Sequence, residues 1–243
     1  MISAPVGFQC PDCVRSAQRA SKPLLMPTSG TGIPNVTRYL IGACSVIYAL
    51  TVFGGGINQI AQTWGMWPRA VAAGEWWRLL SCTLLHASIW HILFNMYALL
   101  VLGSQLERIL GPIRFAAIYA VAALGGSVAS YWFAPVDSLS VGASGAVFGL
   151  MTGLIVLGKR RNADVSQIIF WFGINIVFSF LASGIDWRAH LGGAAFGAAV
   201  TAIVVPRDRR RGLQEQALGI LALVILLVIV VVIRDHQIVT ALP

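Results

Sequence analysis

Seven apolar runs, at 36–53, 89–106, 113–133, 144–158, 165–182, 188–205 and 217–233, fill most of a 243-residue chain and constrain its fold more than any motif does. Several approach the ~20 apolar residues with which an α-helix crosses hydrocarbon, and the fourth, 144–158, is short at about fifteen. Backbone N–H and C=O groups find no water in lipid, so only helices and closed β-barrels span it. A barrel would show segments of about ten residues with alternating polarity, whereas these runs are continuous. They predict an all-α fold, a polytopic membrane helix bundle with seven spans. The balance of 57% hydrophobic to 11% charged residues leaves too little charge to coat a water-soluble domain of this size. Gly, Ala and Ser recur inside the runs, as expected where helices pack backbone to backbone.

Segment 1–35 is polar, Pro/Ser-rich and basic, without the apolar core of a cleaved signal, so the first run serves as its own insertion signal. Lys and Arg flanking membrane spans are retained in the cytoplasm. With the amino-terminal segment inside, the inner segments hold Arg15, Arg19, Lys22, Arg38, Arg108, Arg114, Lys159, Arg160, Arg161, Arg207, Arg209, Arg210 and Arg211. The outer segments keep only Arg69, Arg78, Arg188 and Arg234, and the seventh span ends outside. The net charge of +8 is thus a topology signal, and a nucleic-acid partner is not expected.

That topology fixes the depth of the few polar groups within the spans. The second, fourth and sixth spans run inward and end on Arg108, Lys159 and Arg207. At 1.5 Å per residue, Ser144 lies roughly 22 Å, His190 and His91 roughly 25 Å, and Asn95 roughly 20 Å from those ends. In a hydrocarbon core ~30 Å thick, the four share a level several ångströms below the outer surface. Polar groups in a membrane are costly and are kept for chemistry or a pathway.

A serine, two histidines and an asparagine at one depth suit nucleophilic acyl transfer, in which histidine takes the serine proton and donors receive the oxyanion. Ser144 is the candidate nucleophile and His190 the candidate base. Ser144 falls in the first turn of its helix, where free N–H groups and the macrodipole favour a negative oxygen. His91 and Asn95, at i and i+4, face one way as candidate oxyanion donors. Gly142 and Gly145 allow a substrate backbone close. Gly193 and Gly197 share the His190 face and would pack on Gly145 and Gly149, bringing the reactive pair together. Phe148, one turn after Ser144, is placed to stack on the imidazole. With no acidic residue inside a span at this level, the expectation is a Ser-His dyad.

Each residue also has a plainer explanation. A lone serine in a membrane helix usually bonds its own backbone, and Gly-Ala-Ser-Gly is commonly a helix contact. His86, just before the second span, suits a structural hydrogen bonder at the pocket rim, and Glu107 a structural tie at the inner loop. Cys44 and Cys82 suit small apolar packing. Cys10 and Cys13 form one CxxC, half of the four ligands a structural zinc takes. A trimmed zinc element, a metal shared between two chains, or plain reduced thiols would each account for them. No other cofactor is implied.

The set Trp77-Arg78, His86, His91-Ile92-Leu93-Phe94-Asn95, Glu107-Arg108, Gly142-Ala143-Ser144-Gly145 and Ala189-His190 with Gly193 and Gly197 resembles the rhomboid intramembrane serine proteases. The resemblance covers about residues 38–206. It implies a rhomboid protease domain of six transmembrane helices at 36–206, preceded by a cytoplasmic segment and followed by a basic linker and seventh helix at 207–243. It further implies Ser144 as nucleophile, His190 as base, and His91, Asn95 and the Ser144 amide at the oxyanion, with Trp77-Arg78 structural in a membrane-embedded loop. Where many relatives have tyrosine this chain has Phe148, which keeps the ring and loses the hydroxyl. Some bacterial relatives carry a further cysteine pair before the CxxC.

The expected activity is therefore cleavage of single-pass membrane proteins near the outer face of a bacterial inner membrane. A proton-coupled transporter using His91 and His190 would want acidic groups inside the spans. A non-enzymatic binder of membrane helices would not need Ser144 and His190 together.

Overall fold

The computed structural model describes residues 2–4, 7–14, 32–54, 56–205 and 212–241. Arg15, Arg19, Lys22 and the basic cluster 207–211 lie outside the described residues. A small antiparallel hairpin, β1 (Ile2–Ala4) and β2 (Gly7–Gln9), precedes Cys10 and Cys13, both exposed. It adds the only strands, among the described residues, to the expected all-α fold.

A helix lies on each of the seven apolar runs. They are α1 (Asn35–Phe53), the rod formed by α5 (Ile89–Ala98), a π turn (Leu99–Gly103) and α6 (Ser104–Leu110), α7 (Pro112–Phe133), α8 (Ser144–Arg160), α9 (Ser166–Leu181), α10 (Trp187–Val204) and α11 (Leu213–Ala241). The short helices α2 (Ile57–Trp64), α3 (Pro68–Ala72) and α4 (Arg78–Ser81) fold within the connection between the first two spans. Among the described residues, four helices are long and apolar enough to cross a membrane: α1, the rod Ile89–Leu110, α7 and α11. At 17 residues α8 reaches only about 25 Å at 1.5 Å per residue, short of a ~30 Å hydrocarbon core.

The bundle centres on α7, α8 and α10, and small residues explain how closely they pack. A Cβ added to Gly193 would lie 1.9 Å from the Gly145 carbonyl oxygen, and one added to Gly197 would lie 2.3 Å from the Gly149 Cα. At these glycines of the seam there is no space for a side chain. Thr152 bonds across it, its hydroxyl donating to the Ala194 carbonyl at 2.7 Å.

The peripheral helices are held by a few polar anchors. Glu107, buried at 4% exposure, caps the start of α1: its carboxylate accepts from the backbone N–H of Val36 at 2.9 Å and of Thr37 at 2.8 Å, and from the Thr37 hydroxyl at 2.8 Å. An anion there satisfies otherwise free first-turn donors and complements the helix dipole. The seventh helix packs against α7, α10 and α3. Its Asp235 accepts from the Trp76 indole N–H at 3.0 Å and from the Tyr131 hydroxyl, joining α11 to the first loop and to α7.

Candidate active site

Four elements converge on a cavity of about 660 Å³ whose lining includes Ser144, His190, His91 and Asn95. Ser144 is the first residue of α8 and half-buried, so its amide is among those without an intrahelical acceptor. His190 lies one turn into α10, at 6% exposure. Its Nε2 sits 2.8 Å from Ser144 Oγ. The glycine seam below sets that distance through backbone contact.

Phe148 stacks on the His190 ring at 4.1 Å between centroids with planes 12° apart, and Phe172 meets Phe148 edge-on at 5.8 Å. The imidazole is thus clamped between the serine and an aromatic face. Its remaining nitrogen, Nδ1, lies 2.6 Å from the hydroxyl of Ser179 on α9.

Across the cavity, α5 starts at a Ser88 cap, whose side chain accepts from the His91 amide at 3.2 Å. The Ala87 amide donates to His91 Nδ1 at 3.3 Å, which leaves the ring hydrogen of a neutral imidazole on Nε2. That Nε2 edge faces the serine loop: a Cβ at position 142 would lie 2.7 Å from it and 3.8 Å from Ser144 Oγ. Gly142, at φ +128°, therefore has neither the backbone nor the space for a side chain. Asn95 donates an amide hydrogen to the His91 carbonyl at 2.9 Å and lines the cavity together with His91.

His86 departs from its expected role as a hydrogen bonder at the rim. It is buried at 2% exposure, neither ring nitrogen has a partner among the described residues, and its ring meets His91 edge-on at 5.1 Å. It packs against the His91 ring, outside the cavity lining. Trp77 is half exposed, whereas Arg78 is buried and ties the first loop together through Glu75 at 2.6 Å and the carbonyls of Gln62 and Gly65 at 2.8 and 3.0 Å. The irregular segment before α8 is fixed by paired bonds between Met66 and Ser140, both 2.9 Å.

The rhomboid domain profile matches residues 73–207, which contain every one of these cavity residues. The chain belongs to the rhomboid family. It is 38% identical over 146 residues to YdcA of Bacillus subtilis, covering 58% of this chain and 73% of that protein. It is 38% identical over 175 residues to rhomboid protease GluP of the same organism, covering 68% of this chain and 34% of GluP. With rhomboid protease AarA of Providencia stuartii it shares 28% over 192 residues, 66% of this chain and 64% of AarA. The chain thus spans only about a third of GluP. Its rhomboid domain is that of a serine-type intramembrane protease, and its apolar helices make it a multi-pass membrane protein.

Among the polar residues of the cavity lining that escaped the sequence are Ser179 and Asp186. Ser179 bonds His190, and Asp186 caps α10 by accepting from the Ala189 amide at 3.3 Å and from the Ser130 hydroxyl. Asp186 sits in a loop, where acids are ordinary. Ser179 sits one turn after Asn175 in an apolar run, and that polar pair was the available signal.

Proposed function

We propose that this chain hydrolyses peptide bonds in or near the transmembrane segments of single-pass membrane proteins, by a Ser144–His190 dyad through an acyl-enzyme. The observation that carries it is the 2.8 Å contact of Ser144 Oγ with His190 Nε2 at the floor of a cavity. Ser144 Oγ attacks the scissile carbonyl carbon as its proton passes to His190 Nε2. The oxyanion accepts from the Ser144 amide, His91 Nε2–H and Asn95 Nδ2–H. The C–N bond then breaks, and the imidazolium returns its proton to the departing amine. Water then attacks the acyl carbon as His190 takes its proton, the acyl C–Oγ bond breaks, and the imidazolium returns that proton to Ser144 Oγ.

The cavity walls support a membrane-borne substrate. Trp90 and Phe94 on α5 and Phe178 on α9 line it with apolar surface, while its base is polar. A peptide bond presented there must leave its helix, since a helical carbonyl is already hydrogen-bonded. The charge asymmetry supports an inner-membrane location with segment 1–35 cytoplasmic and the far end of α11 outside.

Co-expression with a single-pass reporter, in comparison with Ser144→Ala and His190→Ala, tests the proposal. Cleavage should fall by at least about 10³-fold in both variants at equal membrane levels. Undiminished cleavage by Ser144→Ala would remove it. Activity should also decline toward acid pH, because an imidazolium cannot accept the serine proton. A profile flat through the acidic range would rule out His190 as base.

A further inference from the structure

We propose that Ser179 is a positioning residue, which fixes the tautomer and orientation of His190 and so supplies the third member that no carboxylate provides. The proposal rests on the Ser144–His190 dyad proposed above. Ser179 Oγ is 2.6 Å from His190 Nδ1 and 2.6 Å from the Asn175 carbonyl oxygen on its own helix. A serine hydroxyl has one hydrogen. Two oxygens 2.6 Å apart repel unless a hydrogen lies between them, so that hydrogen belongs on the line to Asn175. Ser179 Oγ is then an acceptor toward His190, which places the imidazole hydrogen on Nδ1 and leaves the Nε2 lone pair facing Ser144.

The result is a directed chain: Ser144 O–H to Nε2, Nδ1–H to Ser179 Oγ, and Ser179 O–H to the Asn175 carbonyl. It prepares the tautomer a general base needs and still accepts from Nδ1 once the ring is protonated. The geometric task is that of a triad carboxylate, performed without charge in a setting where an ionised group is costly. Asp186, the acid nearest in sequence, does not compete for Nδ1, because its oxygens take the Ser130 hydroxyl and the Ala189 amide. Phe148 covers the ring face, and His91 stands on the opposite wall of the cavity. Both bonded partners are shielded, Ser179 at 3% exposure and His190 at 6%. On α9 the only other buried side chain is Ile168, near the far end, so the bond to His190 is that helix's polar anchor at the active-site level.

The test compares Ser179→Ala, Ser179→Val and Ser179→Thr in vesicles carrying the full chain and a single-pass reporter, with thermal unfolding as a folding control. Ser179→Ala and Ser179→Val should lower kcat about 10- to 100-fold with KM changed less than about threefold, a smaller loss than the about 10⁴-fold that follows removal of a triad carboxylate's charge. Ser179→Thr, which keeps the hydroxyl, should recover kcat to within about threefold. Labelling of Ser144 by a small serine-directed phosphonate should slow in parallel with kcat, since it bypasses access by a membrane substrate. Wild-type kcat in Ser179→Ala, a loss confined to KM, or a Thr variant as slow as its Val isostere would each overturn the proposal. If Ser179→Ala unfolds, the Thr–Val comparison decides. Those results leave the dyad intact as long as Ser144→Ala is inactive; activity in Ser144→Ala would defeat the dyad itself.

Discussion

The serine and the histidine stand on helices that touch backbone to backbone, whereas the helix beside them, α9, turns nearly all of its surface outward. Across the α8–α10 seam an added methyl at Gly193 or Gly197 has nowhere to go. On α9, Phe170, Trp171, Val177, Phe178, Phe180 and Leu181 are exposed, and a Cβ at Gly173 meets nothing within 4 Å. The difference teaches that one part of the cavity sets the distance between Ser144 and His190 and the other bounds its open space. Rigidity is concentrated where a fraction of an ångström matters to proton transfer.

Gly193→Ala should break the comparison most severely. Its Cβ would sit 1.9 Å from a backbone oxygen, so α8 and α10 must separate. We expect at least about 3 kcal/mol of lost stability and about 100-fold lower kcat, read by thermal unfolding and reporter cleavage. Tolerance of alanine would mean the seam is slack. Thr152→Val removes the bond across the same seam and should cost about 1 kcal/mol, with cleavage reduced in proportion to folded protein. On the other side of the comparison, Gly173→Ala should raise stability by about 0.5–1 kcal/mol, because helix propensity improves where no clash opposes it. A drop in unfolding temperature would show that α9 is packed more tightly than its exposure implies. Val177→Ala, half exposed and outside the cavity lining, should move stability by no more than about 0.5 kcal/mol.

The same two regions divide what could be foreseen from the sequence. The apolar runs marked the seven helices, since in hydrocarbon length and continuity leave few alternatives. The seam was legible because Gly145, Gly149, Gly193 and Gly197 repeat at one-turn spacing, and the stacking of Phe148 followed from its place one turn past Ser144. The π turn at Leu99–Gly103 has no composition of its own and depends on how the second span meets its neighbours. Ser179 was overlooked because a serine in an apolar run commonly bonds its i−4 carbonyl. It does so here, and the acceptor face that remains is visible only when α10 is in place. The last helix extends beyond 217–233 at both ends, because Gln214 to Gln216 and Arg234 to Thr240 continue the coil past the apolar stretch that marks it in sequence.

Asp235 gives that last helix a significance its bland composition conceals. A version of the chain trimmed after residue 205 would strand the indole N–H of Trp76 and the phenol of the fully buried Tyr131 without their shared acceptor. It would also bare the apolar patch of Val71, Leu79 and Val128 that Leu227 and Val231 now cover. Engineers who shorten the chain to its family-defined region for crystallisation would thereby loosen the connection between the first two spans.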